Sequence, residues 1–142
     1  MRIADVLRTK GGAVATITPE TSVSGLLNEL SLHNIGAMVV VSPDGVVGIV
    51  SERDVVRKLH ERGAELLRMP VSEIMTTMVA TCTPTDTVDH LSVLMTNKRV
   101  RHIPVVENNR LVGIVSIGDI VKQRMQELES EQRALQDYIT RG

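Results

Sequence analysis

A chain that carries one segment twice has few ways to fold, and this one repeats itself at a spacing of 65 residues. Sliding the sequence by that amount places Ala15 to His60 on Ala80 to Met125 without a gap, with fifteen identities in forty-six pairs. The clearest match is Val47 to Val56, VGIVSERDVV, against Val112 to Val121, VGIVSIGDIV. A fixed period of this kind marks a supersecondary unit used repeatedly. A copy of about 60 residues is marginal as an independent core, so the two copies are expected to pack together about a pseudo-twofold axis, with equivalent loops facing one another across a cleft.

Each copy reads β-α-β-β-α. A short strand, near Val14 to Ile17 and Val79 to Cys82, runs into Thr-Pro. A helix follows, Val23 to His33 and Val88 to Asn97, whose apolar residues (Val23, Leu26, Leu27, Leu30; Val88, Leu91, Leu94, Met95) recur at helical spacing. Two strands come next. Met38 to Val41 and Val46 to Val50 are joined by Ser-Pro-Asp-Gly, and His102 to Val106 and Leu111 to Val115 by Glu-Asn-Asn-Arg. The near-continuous runs VVV and GIV suit strands covered on both faces. The fold class is therefore α/β (α+β): two pseudo-twofold-related repeats and a C-terminal helix.

Short leads precede the copies: Ile3 to Leu7 resembles Val71 to Met75, here at an offset of 68, so the first copy carries three extra residues near Thr9 to Gly12. The expected organisation is a first repeat over 1–62, a linker over 63–70 with Gly63 as helix stop and Pro70 as restart, a second repeat over 71–125 and a C-terminal helix over 126–142. In the tail Val121, Met125, Leu128, Gln132, Leu135 and Ile139 are spaced 4-3-4-3-4, one apolar seam of a long helix. It either packs back on its own domain or forms a dimer contact.

The repeated strand ends in Ser51 and Ser116, and a carboxylate, Asp54 or Asp119, follows three residues later. This spacing predicts two helix starts with serine N-caps. It serves capping alone, or also an anion, because a helix N-terminus presents unpaired N–H groups and partial positive charge. Around these starts the copies differ. Arg101 and His102 stand where the first copy has Gly36 and Ala37, with Lys98 and Arg99 just before. Conversely Glu52 and Arg53 stand where the second has Ile117 and Gly118. Each copy is thus expected to bring an arginine to its own helix start by a different route. The basic stretch at 98–102 is either a solvated turn or a phosphate clamp, since arginine forks suit phosphate oxygens.

Composition narrows the classes. Net charge is −1 and charged residues make up 23%, with no nucleic-acid footprint. There is no Trp, no Phe and a single Tyr, Tyr138, so the aromatic platforms of single-strand readers are missing. The single cysteine, Cys82, excludes an internal disulfide and a cysteine zinc site. His33, His60, His90 and His102 have no metal-ligand spacing, and no metal is expected. The N-terminus lacks a signal-peptide apolar region and no run reaches a membrane span, so a cytoplasmic location is expected. A triad of Ser116, Asp119 and His102 lacks a nucleophile elbow, and neither P-loop nor G-x-G-x-x-G is present. No catalytic residues are expected.

The doubled pattern, with Thr-Pro at 18–19 and 83–84, Arg-His-Ile-Pro-Val-Val at 101–106, and Gly-Ile-Val-Ser-x-x-Asp at 48–54 and 113–119, resembles a pair of cystathionine β-synthase (CBS) domains, a Bateman module. The resemblance covers nearly everything but the C-terminal tail. It implies a stand-alone, non-catalytic regulatory module that binds an adenosine-containing ligand (AMP, ADP or ATP, or NAD or S-adenosylmethionine) between the copies and signals by conformational or oligomeric change. By position, it implies that Asp54 and Asp119 accept the ribose hydroxyls. Ser51, Arg53, Ser116, Arg101 and His102 would lie near phosphate. Thr16, Ile17 and Thr18, with Thr81, Cys82 and Thr83, would border adenine, and Met38, Ile103 and Pro104 would lie against the ring. Both aspartates are present, so both sites are expected to be competent, although the first copy lacks the Arg-His-x-Pro element at Gly36 to Val39 and depends on Arg53 for phosphate. Beyond the nucleotide, the expected partners are a second copy in a homodimer and an unidentified protein target, with no nucleic acid and no membrane. The alternative is a ligand-free interaction or scaffold protein acting through its dimer surface and C-terminal helix. An enzyme is a distant third.

Overall fold

The computed structural model describes residues 1–11 and 14–141. Gly12, in the stretch that lengthens the first lead, lies outside the described residues, as do Ala13 and the terminal Gly142. In chain order the elements are α1 (Ile3–Lys10), β1 (Thr16–Ile17), α2 (Val23–His33), β2 (Ala37–Ser42), β3 (Gly45–Ser51) and α3 (Glu52–Arg62). Two 3-10 turns, Gly63–Arg68 and Val71–Glu73, lead to α4 (Val88–Lys98), β4 (His102–Glu107), β5 (Arg110–Ser116) and α5 (Ile117–Arg141).

Local chemistry sets the boundaries. Ser22 and Thr87 cap α2 and α4 by accepting the Gly25 and His90 N–H groups at 3.0 and 3.1 Å. Both helices end on a left-handed residue, Asn34 or Arg99. The hairpin β4–β5 turns through Asn108 and Asn109, both at positive φ, the conformation of a two-residue turn matched to strand twist. Gly63, at φ 63°, ends α3.

The first sheet is β1-β2-β3, with β1 parallel and β3 antiparallel to β2. The second holds only β4 and β5. The strand expected over Val79 to Cys82 shrinks to one parallel bridge between Cys82 and Val105, made by Cys82 N–H to Pro104 O at 3.0 Å and Val106 N–H to Cys82 O at 2.8 Å. The reason is Pro104. The next rung would need its N–H, which proline lacks, so the ladder cannot run back to Ala80.

Two apolar cores result, one per sheet, and the leads are exchanged between them. Val71 and Ile74 are buried with Leu26, Met38 and Val50 of the first repeat. Ile3 and Val6 are buried with Leu91, Ile103 and Val115 of the second. Thr76 pairs with Ile49 through reciprocal backbone bonds of 2.9 and 3.0 Å. Ile3 N–H donates to Asp86 O at 2.9 Å on the other side. Each repeat is thus closed by the lead that precedes the other. The segment over 63–70 is packed chain, not a free tether: Leu66 is fully buried in the first core.

Helix α5 is continuous with the last helix of the second repeat. Its first turns bury Ile120 and Gln123 and are tied to α4 by an Arg124–Asp89 ion pair. The seam predicted for the tail is solvent-facing: Val121, Met125, Leu128, Leu135 and Ile139 are all exposed.

Candidate functional site

Where the two repeats meet, a cleft of about 510 Å³ opens at the N-terminus of α3, within the size range of small-molecule sites. The first repeat supplies Gly36, Ala37 and the strand-to-helix junction from Ile49 to Asp54, with Arg57 one turn further on. The second supplies Thr76 from its lead and the turn Arg99-Val100-Arg101-His102.

The junction is built as the sequence spacing requires. Ser51 caps α3, and Asp54 closes a reciprocal box: Asp54 Oδ2 accepts Ser51 N–H at 2.8 Å and the Ser51 hydroxyl at 3.0 Å. Among the described residues Asp54 Oδ1 accepts no hydrogen bond, so half of the carboxylate remains for another donor. Four arginines, Arg53, Arg57, Arg99 and Arg101, share the cleft with two carboxylates, Glu52 and Asp54. The excess is positive and carried by guanidinium groups, which pair with phosphate or carboxylate oxygens in a two-pronged geometry. A sugar diol on the free carboxylate oxygen and an anionic group among the arginines are what such a cleft can hold.

This arrangement replaces the expected one arginine per helix start. Arg101 does sit beside the start of α5, but through its backbone: its carbonyl accepts Ile117 N–H at 2.9 Å, as the Gly36 carbonyl accepts Glu52 N–H at 3.0 Å. As a residue it lines the Asp54 cleft. Linear position pairs Arg101 with its own repeat; the packing of the two repeats gives it to the other. Burial, and then the positive charge of Lys10 and Arg101, push the His102 imidazole below its ordinary value, against a smaller opposing effect of Asp119.

The equivalent junction in the second repeat is differently occupied. Asp119 Oδ2 accepts Ser116 N–H at 2.9 Å and the Ser116 hydroxyl at 3.0 Å, matching the first repeat. It also takes the Lys10 ammonium at 2.7 Å. Burial alone would raise the Asp119 carboxyl, but the bonds from Lys10 and Ser116 outweigh it and hold it below its usual value. The space there is smaller, about 270 Å³, and is lined by Lys10, Lys122 and Gln123 among others.

Of the residues expected to bind, Ser51, Arg53, Asp54, Arg101 and His102 come together in the larger cleft, and Asp119 lines the smaller. Ser116 caps α5, accepting Asp119 N–H at 3.2 Å. Ile17, Met38, Cys82 and Ile103 are core residues, and Pro104 is buried with them, so none forms part of the cleft wall. Burial, and secondarily Asp86, push the Cys82 thiol up to about 12. Thr18 and Thr83 spend their hydroxyls within turns, on Thr21 and Thr85. Thr16 and Thr81 are exposed and also lie outside this wall. Sequence reasoning did not single out Arg57, although it lies one helical turn from Arg53 and Asp54, on the same face of α3. Thr76 could not have been found, since it reaches the cleft only through the exchange of leads. No group of metal-ligating side chains able to hold an ion occurs among the described residues.

A fold of two such repeats with exchanged leads, meeting at a paired serine–aspartate junction, defines a class. The sequence matches the CBS domain family twice, over residues 3–61 and 71–125, and the chain belongs to that family. Among curated relatives, the CBS domain-containing protein CBSX3, mitochondrial, of Arabidopsis thaliana is 36% identical, covering 99% of this chain and 72% of that protein. Among solved structures, the CBS-domain containing protein ATU1752 from Agrobacterium tumefaciens superimposes with a TM-score of 0.84 at 45% identity, over 87% of this chain and 99% of that one. The CBS domain pair of protein MJ0100, solved in complex with 5′-methylthioadenosine and S-adenosyl-L-methionine, gives a TM-score of 0.75 at 26% identity, over 89% and 98%. The chain is therefore a CBS pair with a C-terminal helix, and no helix among the described residues is long and apolar enough to cross a membrane.

Proposed function

We propose that this chain is a non-catalytic regulatory module that binds an adenosine-containing ligand in the Asp54 cleft and passes on its occupancy through conformational or oligomeric change. One observation carries the reading: four arginines drawn from both repeats line one cleft with the half-free carboxylate of Asp54. The ligand class is supported by MJ0100, whose CBS pair was solved with two adenosine compounds. The arginine excess favours a phosphorylated member, AMP, ADP or ATP, over the cationic sulfonium of S-adenosylmethionine, with NAD as a further candidate. Since both repeats line the cleft, a bound anion ties Arg53 and Arg57 to Arg99 and Arg101 and changes how the repeats sit together. The proposed setting is cytoplasmic, and the proposed assembly is a homodimer.

A thermal-shift screen over AMP, ATP, NAD and S-adenosylmethionine tests this. A ligand at a hundred times its Kd stabilises by about 2.7 kcal/mol, which is several degrees in a domain of this size. No shift with any of the four would remove the sensor reading. One observation favours a second reading, a ligand-free interaction protein: the exposed apolar seam of α5. On that reading no nucleotide shifts the midpoint, while removal of the seam abolishes assembly.

A further inference from the structure

We infer that Lys10 is a built-in counter-ion that keeps the second aspartate site closed, so that the module takes one anionic adenosine ligand per chain, at Asp54, and not two. The inference rests on the nucleotide reading above and concerns how many of the two related sites are open.

The two junctions are near copies. Asp54 and Asp119 each accept a serine N–H and a serine hydroxyl on Oδ2, within 0.1 Å of one another in length: 2.8 and 3.0 Å against 2.9 and 3.0 Å. The difference is the Lys10 ammonium, which donates to Asp119 Oδ2 at 2.7 Å and to the Ile114 carbonyl at 2.8 Å. In the first repeat the carbonyl matching Ile114 is that of Ile49, and it accepts a backbone N–H, from Thr76 at 2.9 Å. No lysine side chain is bonded to Asp54 among the described residues.

The cause is visible in the sequence. The leads correspond at an offset of 68 and the repeats at 65, so the first lead has three residues more before its repeat begins. Those residues let α1 continue to Lys10, whereas the matching lead forms only the short turn Val71–Glu73. The three-residue insertion that separates the two offsets falls where a lysine is delivered to the second junction. The pair is partly sheltered, with the two side chains 35% and 21% exposed. Lys10 bonds the oxygen that already serves Ser116, so what it removes is charge rather than an acceptor: a ribose diol would meet a carboxylate already neutralised. The ammonium, which lines the adjoining space, is tethered to the same chain and competes at high effective concentration. A phosphate group meets fewer partners there as well: Gly118 stands where the first repeat has Arg53, and Arg101 lines the other cleft.

Calorimetric titration with AMP of the wild type, Lys10→Met, Asp54→Asn and the double variant Lys10→Met/Asp54→Asn tests this. The expected stoichiometries are one, two, none and one. Methionine keeps the aliphatic stem; if that variant melts early, Lys10→Gln takes its place. Two sites in the wild type would overturn the inference while leaving the nucleotide reading intact. So would a Lys10 variant that stays at one site, or one whose second site is weaker because the ammonium serves the ligand. Absence of binding in all four proteins would overturn the nucleotide reading, and this inference with it.

Discussion

Gly48 and Gly113 occupy matching positions in β3 and β5, and each is roofed by the lead of the other repeat. A β-carbon on Gly48 would stand 2.6 Å from Met75 Sδ, 3.0 Å from Met75 Cγ and 3.0 Å from the Thr76 carbonyl oxygen. On Gly113 it would stand 2.5, 3.0 and 3.3 Å from the Cδ2, Cδ1 and Cγ atoms of Leu7. Both contacts are too close, but they differ in what can yield. Leu7 offers the end of a side chain, which can turn to another rotamer. The Thr76 oxygen is backbone, held by its 3.0 Å bond from Ile49 N–H and the reciprocal bond of 2.9 Å. Replacing glycine by alanine stiffens the unfolded chain and gains about 0.4–1 kcal/mol where the site tolerates it; overpacking costs about 1–3 kcal/mol. For Gly113→Ala the two nearly cancel, with a net loss of about 0–1 kcal/mol. For Gly48→Ala the cost prevails, with a net loss of about 1–2 kcal/mol, or roughly 2–8 °C in melting point. Urea and thermal unfolding of both variants measure this, and Leu7→Ala should restore packing at Gly113→Ala while Met75→Ala restores little at Gly48→Ala. A Gly48→Ala protein as stable as wild type would mean that the second lead does not lie on β3, and the exchange of leads that brings Thr76 to the cleft would fall with it.

Three further outcomes are expected. Asp54→Asn keeps an acceptor for Ser51 and should cost only about 0.5 kcal/mol as a capping change, yet abolish nucleotide binding by calorimetry; normal binding with a much lower melting point would make Asp54 a cap and nothing more. A chain ended after Lys122 keeps Ile120 in the core and loses the exposed seam, so light scattering should find monomer in place of dimer, and an unchanged mass would clear the seam of that role. Because His102 titrates below 6.5 in the free fold, the unfolded chain binds its proton first: the stability this contributes is complete above pH 6.5 and is lost as pH falls toward the folded value. A phosphate among the arginines beside it should raise His102, so binding takes up a proton and tightens as pH drops from 7.5 toward 6. Calorimetry in buffers of different ionisation heat measures that uptake, and a His102→Gln protein with the same uptake would assign it to the phosphate instead.

The sequence repeat made the two β-α-β-β-α units legible, and local spacing did the same for the helices over 23–33 and 88–97 and both serine–aspartate helix starts, because helices and their caps depend on contacts three or four residues apart. The missing strand at Val79 to Cys82 was legible in principle, since Pro104 stands where the matching strand has Val39. What could not be read was which half each segment joins. Ile3 and Val6 carry the same apolar pattern whether they bury against their own repeat or the other, and nothing local in Arg101 says across which interface its side chain lies. Those choices are made by the pseudo-twofold packing, a long-range property that the spacing of residues along one chain does not encode.

Four of the matched pairs that differ between the copies lie around the junctions: Gly36/Arg101, Ala37/His102, Glu52/Ile117 and Arg53/Gly118. In the first repeat the small residues Gly36 and Ala37 leave room in the wall of the Asp54 cleft, and the arginine is moved to the helix start. In the second, the bulky basic pair Arg101-His102 lines that same cleft from the opposite side, while the α5 start loses its arginine to Gly118. Gly36/Arg101 and Ala37/His102 leave space on one wall of the Asp54 cleft and place basic side chains on the other, and Arg53/Gly118 gives an arginine to Asp54 and none to Asp119, whereas Glu52/Ile117 runs the other way and adds a carboxylate to the Asp54 cleft. Lys10 completes the pattern by neutralising the carboxylate on the depleted side with a side chain from the chain's own N-terminal helix. Two equal sites would average their response over two binding events. On the one-site proposal, an open cleft lined by both repeats would convert a single anion into a change between them, with the Lys10–Asp119 side left fixed.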